Sequence, residues 1–262
     1  MRKALVTQLK KTYAHRHTLW KMASAQLKSK YVSSWSGVWL AIIQPLLIMG
    51  AISFVFTYVF HIEIERFPLF ALAGIFPWLF ISSALSEATT SFLQKKALTR
   101  QFSIPYAIIP LSVVLSQFMN FLIGWCVLYP LFCLFNPRII LLFPLFAIVL
   151  FLTFFFTSGL ALGFSVCNVF FRDLEHLLGV FLMFWFWVTP VFYSADMVMP
   201  QLRWICVVNP LTPFIELYRN VLFLGTLPSP YVVAGVFAWT ALSWFCGFTL
   251  FAQLQSSMLK EI

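Results

Sequence analysis

Long apolar stretches alternate along the chain with short polar segments. Each stretch reaches or approaches the roughly 20 residues that an α-helix needs to cross the hydrocarbon core of a bilayer. Prolines inside them are compatible with membrane helices, because neighbouring helices can satisfy the freed backbone groups. The pattern predicts an all-α integral membrane protein with six transmembrane helices, at residues 38–60, 67–86, 108–135, 139–167, 177–193 and 231–254.

Composition excludes a water-soluble globule. Hydrophobic residues make up 61% of the 262 residues, charged residues make up 10%, and the mean hydropathy is +0.92. Soluble domains carry about 25% charged residues, which cover their surface. We therefore expect most of the surface of this chain to face lipid.

The basic residues indicate an orientation in the membrane. Thirteen of the 17 Lys and Arg precede span one, follow span six, or lie in the loops after spans two and four. By the positive-inside rule, both termini are then cytoplasmic. We expect a multi-pass protein of the bacterial cytoplasmic (inner) membrane, whose net charge of +9 favours anionic lipids. Nucleic-acid binding is not expected, because the basic residues flank the spans.

The segment "NVFFRDLEH", residues 168–176, places Arg172, Asp173 and Glu175 between two very apolar stretches. Each charge would cost about 2.5–3.5 kcal/mol at the centre of a bilayer, so the chain must leave the membrane here. This predicts a cytoplasmic turn between spans four and five. The turn is either a simple hairpin with an Arg–Asp pair at the interface or a docking or gating contact on the cytoplasmic face.

An amphipathic helix is predicted before the first span. Leu19, Ala23, Leu27 and Tyr31 recur at four-residue spacing, and lysines lie on the other side. Such a helix is suited to the inner membrane interface. It serves either as a basic anchor that fixes topology or as a contact for a cytoplasmic partner.

The outer loop at residues 194–230 is apolar, but its prolines prevent a single spanning helix. The stretch "PFIELYRNVLFLG" predicts a short helix that begins after Pro213 and ends at Gly225. Glu216 and Arg219 lie three residues apart on it and can form a pair. We expect an element that dips into the outer leaflet and bears an outer gate, the alternative being a helix that only packs on the surface.

Groups needed for catalysis or for proton coupling are scarce. The sequence has no Walker-type phosphate-binding loop and no Cys or His spacing typical of a metal site. Glu87 is the one acid near the interior of a span, whereas proton-coupled transporters need buried titratable groups. Any transport is therefore expected to draw its energy from another chain.

Four motifs in order resemble one family: "LKSKYVSSWSGVWLAIIQPLL", "LTRQFSIPYAIIPLS", "NVFFRDLEHLLGVFLMFWFWVTPVFY" and "NPLTPFIELYRNVLFLG". Together they cover nearly the whole chain. They resemble the permease subunit of type-2 ABC exporters, in the branch that exports O-antigen, capsule and teichoic acid. Trp35 and Lys95 depart from the residues common in that family, Leu and Asn.

The resemblance implies a homodimer that binds two copies of a separate ABC ATPase. ATP and Mg would bind that partner, and no cofactor would bind this chain. The cargo would be a polysaccharide linked to polyprenyl diphosphate. The residues implied in coupling to the ATPase are Lys28, Lys30, Tyr31, Leu98, Arg100, Phe102, Arg172 and Asp173.

The resemblance also implies that spans one and five line the path of the glycan. Both carry aromatic residues that could stack on sugar rings: Phe54, Tyr58, Phe181, Phe184, Trp185 and Phe192. Phe181, Trp185 and Phe192 are expected on one helical face. The alternative is that these rings serve packing or form interfacial belts.

Two other functions stay open at this stage. The same fold could export a drug or a lipid, or the chain could be a membrane enzyme acting on prenyl-linked sugars. An enzyme of that kind needs Asp-rich clusters, which the sequence lacks. The predicted organisation is a cytoplasmic amphipathic segment at 1–36, a transmembrane domain at 37–256 and a cytoplasmic tail at 257–262.

Overall fold

The computed structural model describes residues 12–32, 43, 46–51, 54–55, 66–95 and 105–261. All regular elements in these ranges are helical. The α-helices are α1 Arg16–Val32, α2 Phe67–Gln94, α3 Ile108–Phe135, α4 Phe143–Phe170, α5 Leu174–Val188, α6 Arg203–Val208, α7 Thr212–Arg219 and α8 Pro230–Glu261. Shorter helical turns lie at Pro137–Leu142, Ala195–Met197, Pro200–Leu202 and Asn220–Leu224.

Four helical segments of the described chain are long and apolar enough to cross a membrane. They are Phe67–Gln94, Ile108–Phe135, Pro137–Phe170 and Pro230–Met258. The first predicted span, at residues 38–60, lies mostly outside the described residues, so the predicted number of six spans stays a prediction. The prediction of an all-α membrane protein is confirmed at this coarser level.

Helix α5 is shorter than the span predicted at 177–193. It comprises 15 residues, Leu174–Val188, and Thr189 already has an extended backbone with ψ 133°. Pro190 explains the difference, because a proline disfavours helical geometry in the residue before it. The four residues up to Tyr193 therefore continue as an irregular turn.

Helix α2 is longer than the span predicted at 67–86. Its last two turns are rich in Ser and Thr, and these side chains bond to the backbone of their own helix. Thr89 Oγ1 donates to the carbonyl of Leu85 at 2.7 Å, and Ser91 Oγ donates to that of Ala88 at 2.6 Å. Internal bonds of this kind satisfy the hydroxyls, so polar residues do not end the helix.

Helices α4 and α8 cross at small residues. A Cβ atom on Gly247 would lie 1.8 Å from the carbonyl oxygen of Gly159, so only glycine fits at this crossing. One turn away, Ser243 Oγ donates to the carbonyl of Phe156 at 2.6 Å. Small residues that bring two backbones together are a common means of packing helices in membranes.

The segment between α5 and α8 enters the bundle. Tyr218 of α7 is fully buried, and its ring stacks on that of Trp125 in α3 with an interplanar angle of 2°. Its hydroxyl lies 3.0 Å from Thr153 Oγ1 in α4. The predicted short helix is thus present, and it ends at Gly225, whose φ is +65°. Its burial contradicts the alternative of a helix that only packs on the surface.

The two ends of the bundle differ. One end, called the basic end, carries α1 with its lysines. A cluster from α2, α3, α4 and α8 lies there, against which Leu19 of α1 packs: Phe92, Ile109, Val166 and Phe251. At the opposite end, α2 begins and α3 ends. The positive-inside rule predicts that the basic end is cytoplasmic.

Candidate functional site

Helix α1 is held against α3 by side-chain hydrogen bonds. Gln26 Nε2 donates to Ser112 Oγ at 2.9 Å, near the start of α3. The hydroxyl of Tyr31 donates to Oδ1 of Asn120, two turns further along the same helix. Helix α1 therefore lies along α3 over these turns, and Tyr31, which was predicted to couple to the ATPase, contacts the bundle itself.

An ion pair joins the end of α1 to α2. Lys30 Nζ lies 2.7 Å and 3.0 Å from the two carboxylate oxygens of Glu87. Both side chains are more than one third exposed, so the pair contributes only about 0–1 kcal/mol. The pair matters mainly because it holds two charged side chains in the lining of a cavity. Lys28, the third predicted coupling residue of α1, is exposed.

A cavity of about 510 Å³ lies beside this ion pair, between α1, α2, α3 and α5. Its polar lining consists of Lys30, Glu87, Ser82, Ser83, Ser86, Gln117 and Asn120. Phenylalanine side chains line the rest, together with Ile48 from the first predicted span and Gly179 and Leu182 from α5. Sequence reasoning singled out Glu87 as an unusual acid but did not connect it with these neighbours.

The turn between α4 and α5 is exposed at the basic end. The turn begins at Phe171, which accepts a backbone bond from Leu174, and the side chains of Arg172 and Asp173 both face outward. No ion pair joins Arg172 and Asp173 in this part of the chain, which the structure describes fully. The predicted Arg–Asp pair is therefore not formed, and both a simple hairpin and a docking contact stay open.

The other predicted coupling residues cannot be placed. Leu98, Arg100 and Phe102 lie outside the described residues, as does Tyr58 of the predicted path. Lys95, which precedes that loop directly, is described. Burial lowers the pKa of its ammonium group to about 8, and the charge of Glu87 opposes this shift.

Helix α5 has one packed side and one exposed side. On the packed side, Trp185 meets Trp78 of α2 edge to face, with ring centroids 6.0 Å apart. Phe181 and Phe184 are exposed, as is Phe54 of the first predicted span.

The predicted face of Phe181, Trp185 and Phe192 is only partly correct. The rings of Phe181 and Trp185 are adjacent, with centroids 5.2 Å apart. Phe192 lies beyond the end of α5 and packs on Phe186 instead. The break before Pro190 causes this difference, because helical spacing applies only while the helix continues.

Asn209 is a hydrogen-bonding centre that sequence reasoning missed. Its Oδ1 accepts a bond from the indole Nε1 of Trp185 at 2.9 Å and one from the backbone N–H of Leu211 at 3.0 Å. Its Nδ2 donates to Thr189 Oγ1 at 2.9 Å. Asn209 thus ties the end of α5 to the segment that leads into α7. The available signal was its position at the start of the "NPLT" motif.

Arg219 does not form the predicted pair with Glu216, since no ion pair joins these two described residues. Its guanidinium instead donates to the carbonyl of Tyr193 at 2.8 Å and to that of Val191 at 2.6 Å. It also lies over the ring of Phe70, 3.6 Å from the centroid. These carbonyls follow the end of α5 and lack helical partners, so they compete successfully with a partly exposed carboxylate for the guanidinium.

Glu216 lacks this partner and is partly buried. Burial raises the pKa of its carboxyl group, and the positive charge of Arg219 partly opposes the shift. Arg219 of α7 thus links the turn after α5 to α7 and to Phe70 of α2. The predicted role of both residues as an outer gate stays a prediction.

Comparison with known proteins agrees with this architecture. The ABC-2 type transporter family matches residues 17–223. The O-antigen export system permease protein RfbA of Klebsiella pneumoniae is 31% identical over 215 residues, which cover 80% of this chain and 82% of that protein. A protein of the same name from Myxococcus xanthus is 25% identical over 226 residues, which cover 86% and 87%. The predicted resemblance is confirmed, and the chain belongs to the ABC-2 type transporter family.

Proposed function

We propose that this chain is the membrane-spanning permease of an ATP-driven exporter that moves a lipid-linked polysaccharide of the O-antigen class across the cytoplasmic membrane. One observation carries the proposal. Relatives named as O-antigen export permeases match it over 80–86% of its length. Capsule and teichoic acid are chemically related cargoes of the same class.

The energy would come from two copies of an ABC ATPase bound at the basic end. Two features support this arrangement. The sequence has no phosphate-binding loop of its own. The turn with Arg172 and Asp173 also presents two exposed charges without partners in the described chain, as a docking surface requires. ATP and Mg would bind the partner, and the basic end would face the cytoplasm.

A second copy of this chain would complete the path. The outward side of α5 exposes Val180, Phe181, Phe184 and Trp187, with relative exposures of 71%, 47%, 65% and 64%. A continuous apolar face of this kind suits lipid or a second subunit, and closed two-fold dimers are the commonest assemblies. In a dimer, the two α5 helices and the first spans would enclose an aromatic passage for sugar rings.

The decisive experiment is mass spectrometry of glycolipids in cells that lack this chain. We expect a polyprenyl-diphosphate-linked polysaccharide to accumulate inside these cells and to disappear from the surface. Expression of the intact chain should restore export. Normal surface polysaccharide together with retention of a drug or a simple lipid would favour the alternative cargoes. Normal lipid-linked sugars with an altered glycan structure would favour an enzyme.

A further inference from the structure

The cavity beside the Lys30–Glu87 ion pair combines features that a packing defect would not have. We propose that it is a binding site for a sugar unit of the exported polysaccharide, on the basic side of the path. The inference rests on the proposed function and adds a defined site to it. The cavity volume of about 510 Å³ falls within the range of about 300–1,000 Å³ typical of small-molecule sites.

Part of the polar lining comes from the basic-end half of α2. Ser82 and Ser86 precede the end of α2 at Gln94 by about two to three turns, which corresponds to roughly 12–18 Å along the helix. Ser82 and Ser83 already donate to the carbonyl of Leu79 in their own helix, and their hydroxyl oxygens remain able to accept a bond. Their concentration around one cavity therefore indicates a ligand that is itself polar.

Gln117 gives independent evidence for a missing partner. It lines the cavity and is only 5% exposed. Within the described chain, no hydrogen bond is made by its side-chain amide, which could donate two and accept two. The amide atoms are not fully enclosed by protein, so whatever fills the cavity can form bonds with them. A ligand with hydroxyl groups would satisfy both the amide NH₂ and the carbonyl oxygen.

The charge balance favours a neutral ligand over a phosphate. Lys30 is already paired with Glu87, so the two charges of the lining cancel. An anion would compete with the Glu87 carboxylate for the same ammonium group and would be repelled by it. The remaining polar groups are neutral. Ser83 already donates to Leu79 and can still accept, while Asn120 accepts a bond from Tyr31 and keeps its NH₂ group to donate. Sugar hydroxyls match this set.

The apolar wall also suits a sugar. Phe76, Phe80 and Phe121 line the cavity, and Phe76, the least buried of the three, packs against Phe121 with ring centroids 5.1 Å apart. Sugar rings present C–H faces that pack against aromatic side chains. Ile48 and Leu182 place the first predicted span and α5 at the edge of the cavity. These are the two elements proposed to line the path, so a sugar in transit could reach the site.

Photocrosslinking in cells that carry the complete exporter tests this site. The photoreactive residue p-benzoyl-phenylalanine replaces Ser86, an exposed residue of the lining. In the control it replaces Phe151, which is 59% exposed on α4 and lies outside the cavity. We expect irradiation to attach periodate-sensitive glycan to the chain at position 86 and none at position 151. An adduct at position 86 that contains only phospholipid, or no adduct there, would overturn the proposal.

A matched pair of variants gives a second measurement. Gln117→Leu removes the unpartnered amide, while Ser116→Ala removes a neighbouring buried hydroxyl that also lacks a partner but does not line the cavity. We expect Gln117→Leu to slow export about tenfold at normal or higher thermal stability, because hydrogen bonds to the sugar are lost. Ser116→Ala should export normally. Unchanged export by Gln117→Leu contradicts the proposal.

These outcomes can be separated from failure of the proposed function. If cells lacking the chain still export the polysaccharide, the function itself is wrong. If they do not, but Gln117→Leu exports normally and position 86 captures no sugar, only the cavity assignment is wrong.

Discussion

The indole Nε1 of Trp185 donates a 2.9 Å hydrogen bond to Oδ1 of Asn209. This bond connects the helix proposed to line the path with the segment that enters the bundle. Trp185 is therefore at least partly a structural residue. Its neighbour Phe181, which is exposed and makes no comparable bond, is the better candidate for a contact with cargo.

Trp185→Phe keeps an aromatic ring but removes the donor. We expect a loss of about 0.5–1.5 kcal/mol in stability, because Asn209 Oδ1 loses one of its two donors and keeps the backbone N–H of Leu211. Thermal unfolding of the purified chain measures this loss, and export per folded molecule should change little. Trp187→Phe is the control, since Trp187 is exposed on the same helix. Unchanged stability with reduced export per molecule would instead make Trp185 a cargo contact.

Arg219→Lys should destabilise the protein although it keeps the charge. The guanidinium bonds two carbonyl groups at once, those of Val191 and Tyr193, and lies over Phe70, whereas one ammonium group cannot reproduce this planar geometry. We expect a cost of about 2 kcal/mol or more, since bonds to charged groups contribute about 1.5–3 kcal/mol each. The measurement is thermal unfolding in detergent. Wild-type stability in the lysine variant would show that the two carbonyl bonds of Arg219 do not stabilise the fold.

Gly247→Ala should disrupt the crossing of α4 and α8. The added methyl group would meet the backbone oxygen of Gly159 at 1.8 Å, and a backbone atom cannot move aside cheaply. We expect a loss of at least about 1–3 kcal/mol and a low folded yield. Gly163→Ala is the matched control in the same interface, because its Cβ would have ordinary contacts at 3.5 Å. Equal yields from the two variants would show that the crossing is looser than the structure indicates.

Lys95→Met should alter the dependence of stability on pH. Burial lowers the pKa of Lys95 to about 8 in the folded chain, against about 10.4 for an unperturbed lysine. Between these values the unfolded chain binds more protons, so wild-type stability should rise as the pH increases from 8 to 10. The Met variant should be more stable at pH 7 and should lack this rise.

A control for that measurement is Lys28→Met, which also removes one positive charge but at an exposed position. It should keep the rise in stability above pH 8. The assignment to Lys95 fails if both variants behave alike in unfolding experiments across this range.

Arg172→Glu tests the proposed contact with the ATPase. The side chain is exposed and forms no ion pair in the described chain, so folding and membrane insertion should be unaffected. Reversing a charge at an interface can cost several kcal/mol. We therefore expect ATP hydrolysis of the complex to be uncoupled from export. The control is Arg138→Glu, which reverses an exposed charge at the opposite end and should leave coupling intact. Normal coupling in Arg172→Glu would show that this turn does not contact the ATPase.

Several elements were predictable because they depend on local pattern. The span predicted at 108–135 is observed as Ile108–Phe135, and the short helix after Pro213 ends at Gly225 as expected. Proline, glycine and the length of an apolar run act on the backbone wherever the chain lies. The break before Phe192 is also predictable from "TPVFY", because the proline ends the helix and helical spacing does not extend beyond it.

The sequence by itself determined a helical membrane protein, the bounds of the helix Ile108–Phe135 and membership of the ABC-2 type transporter family, because hydrophobic length and ordered motifs are properties of the chain. Only the tertiary structure decided the partners of polar groups. Arg219 had Glu216 three residues away, yet it bonds two carbonyls some 26–28 residues distant in sequence. Lys30 and Glu87, 57 residues apart, meet only because α1 packs beside α2 and α3. In a bundle with few charges, each polar group bonds to whatever packing brings within reach, and that choice is not encoded locally.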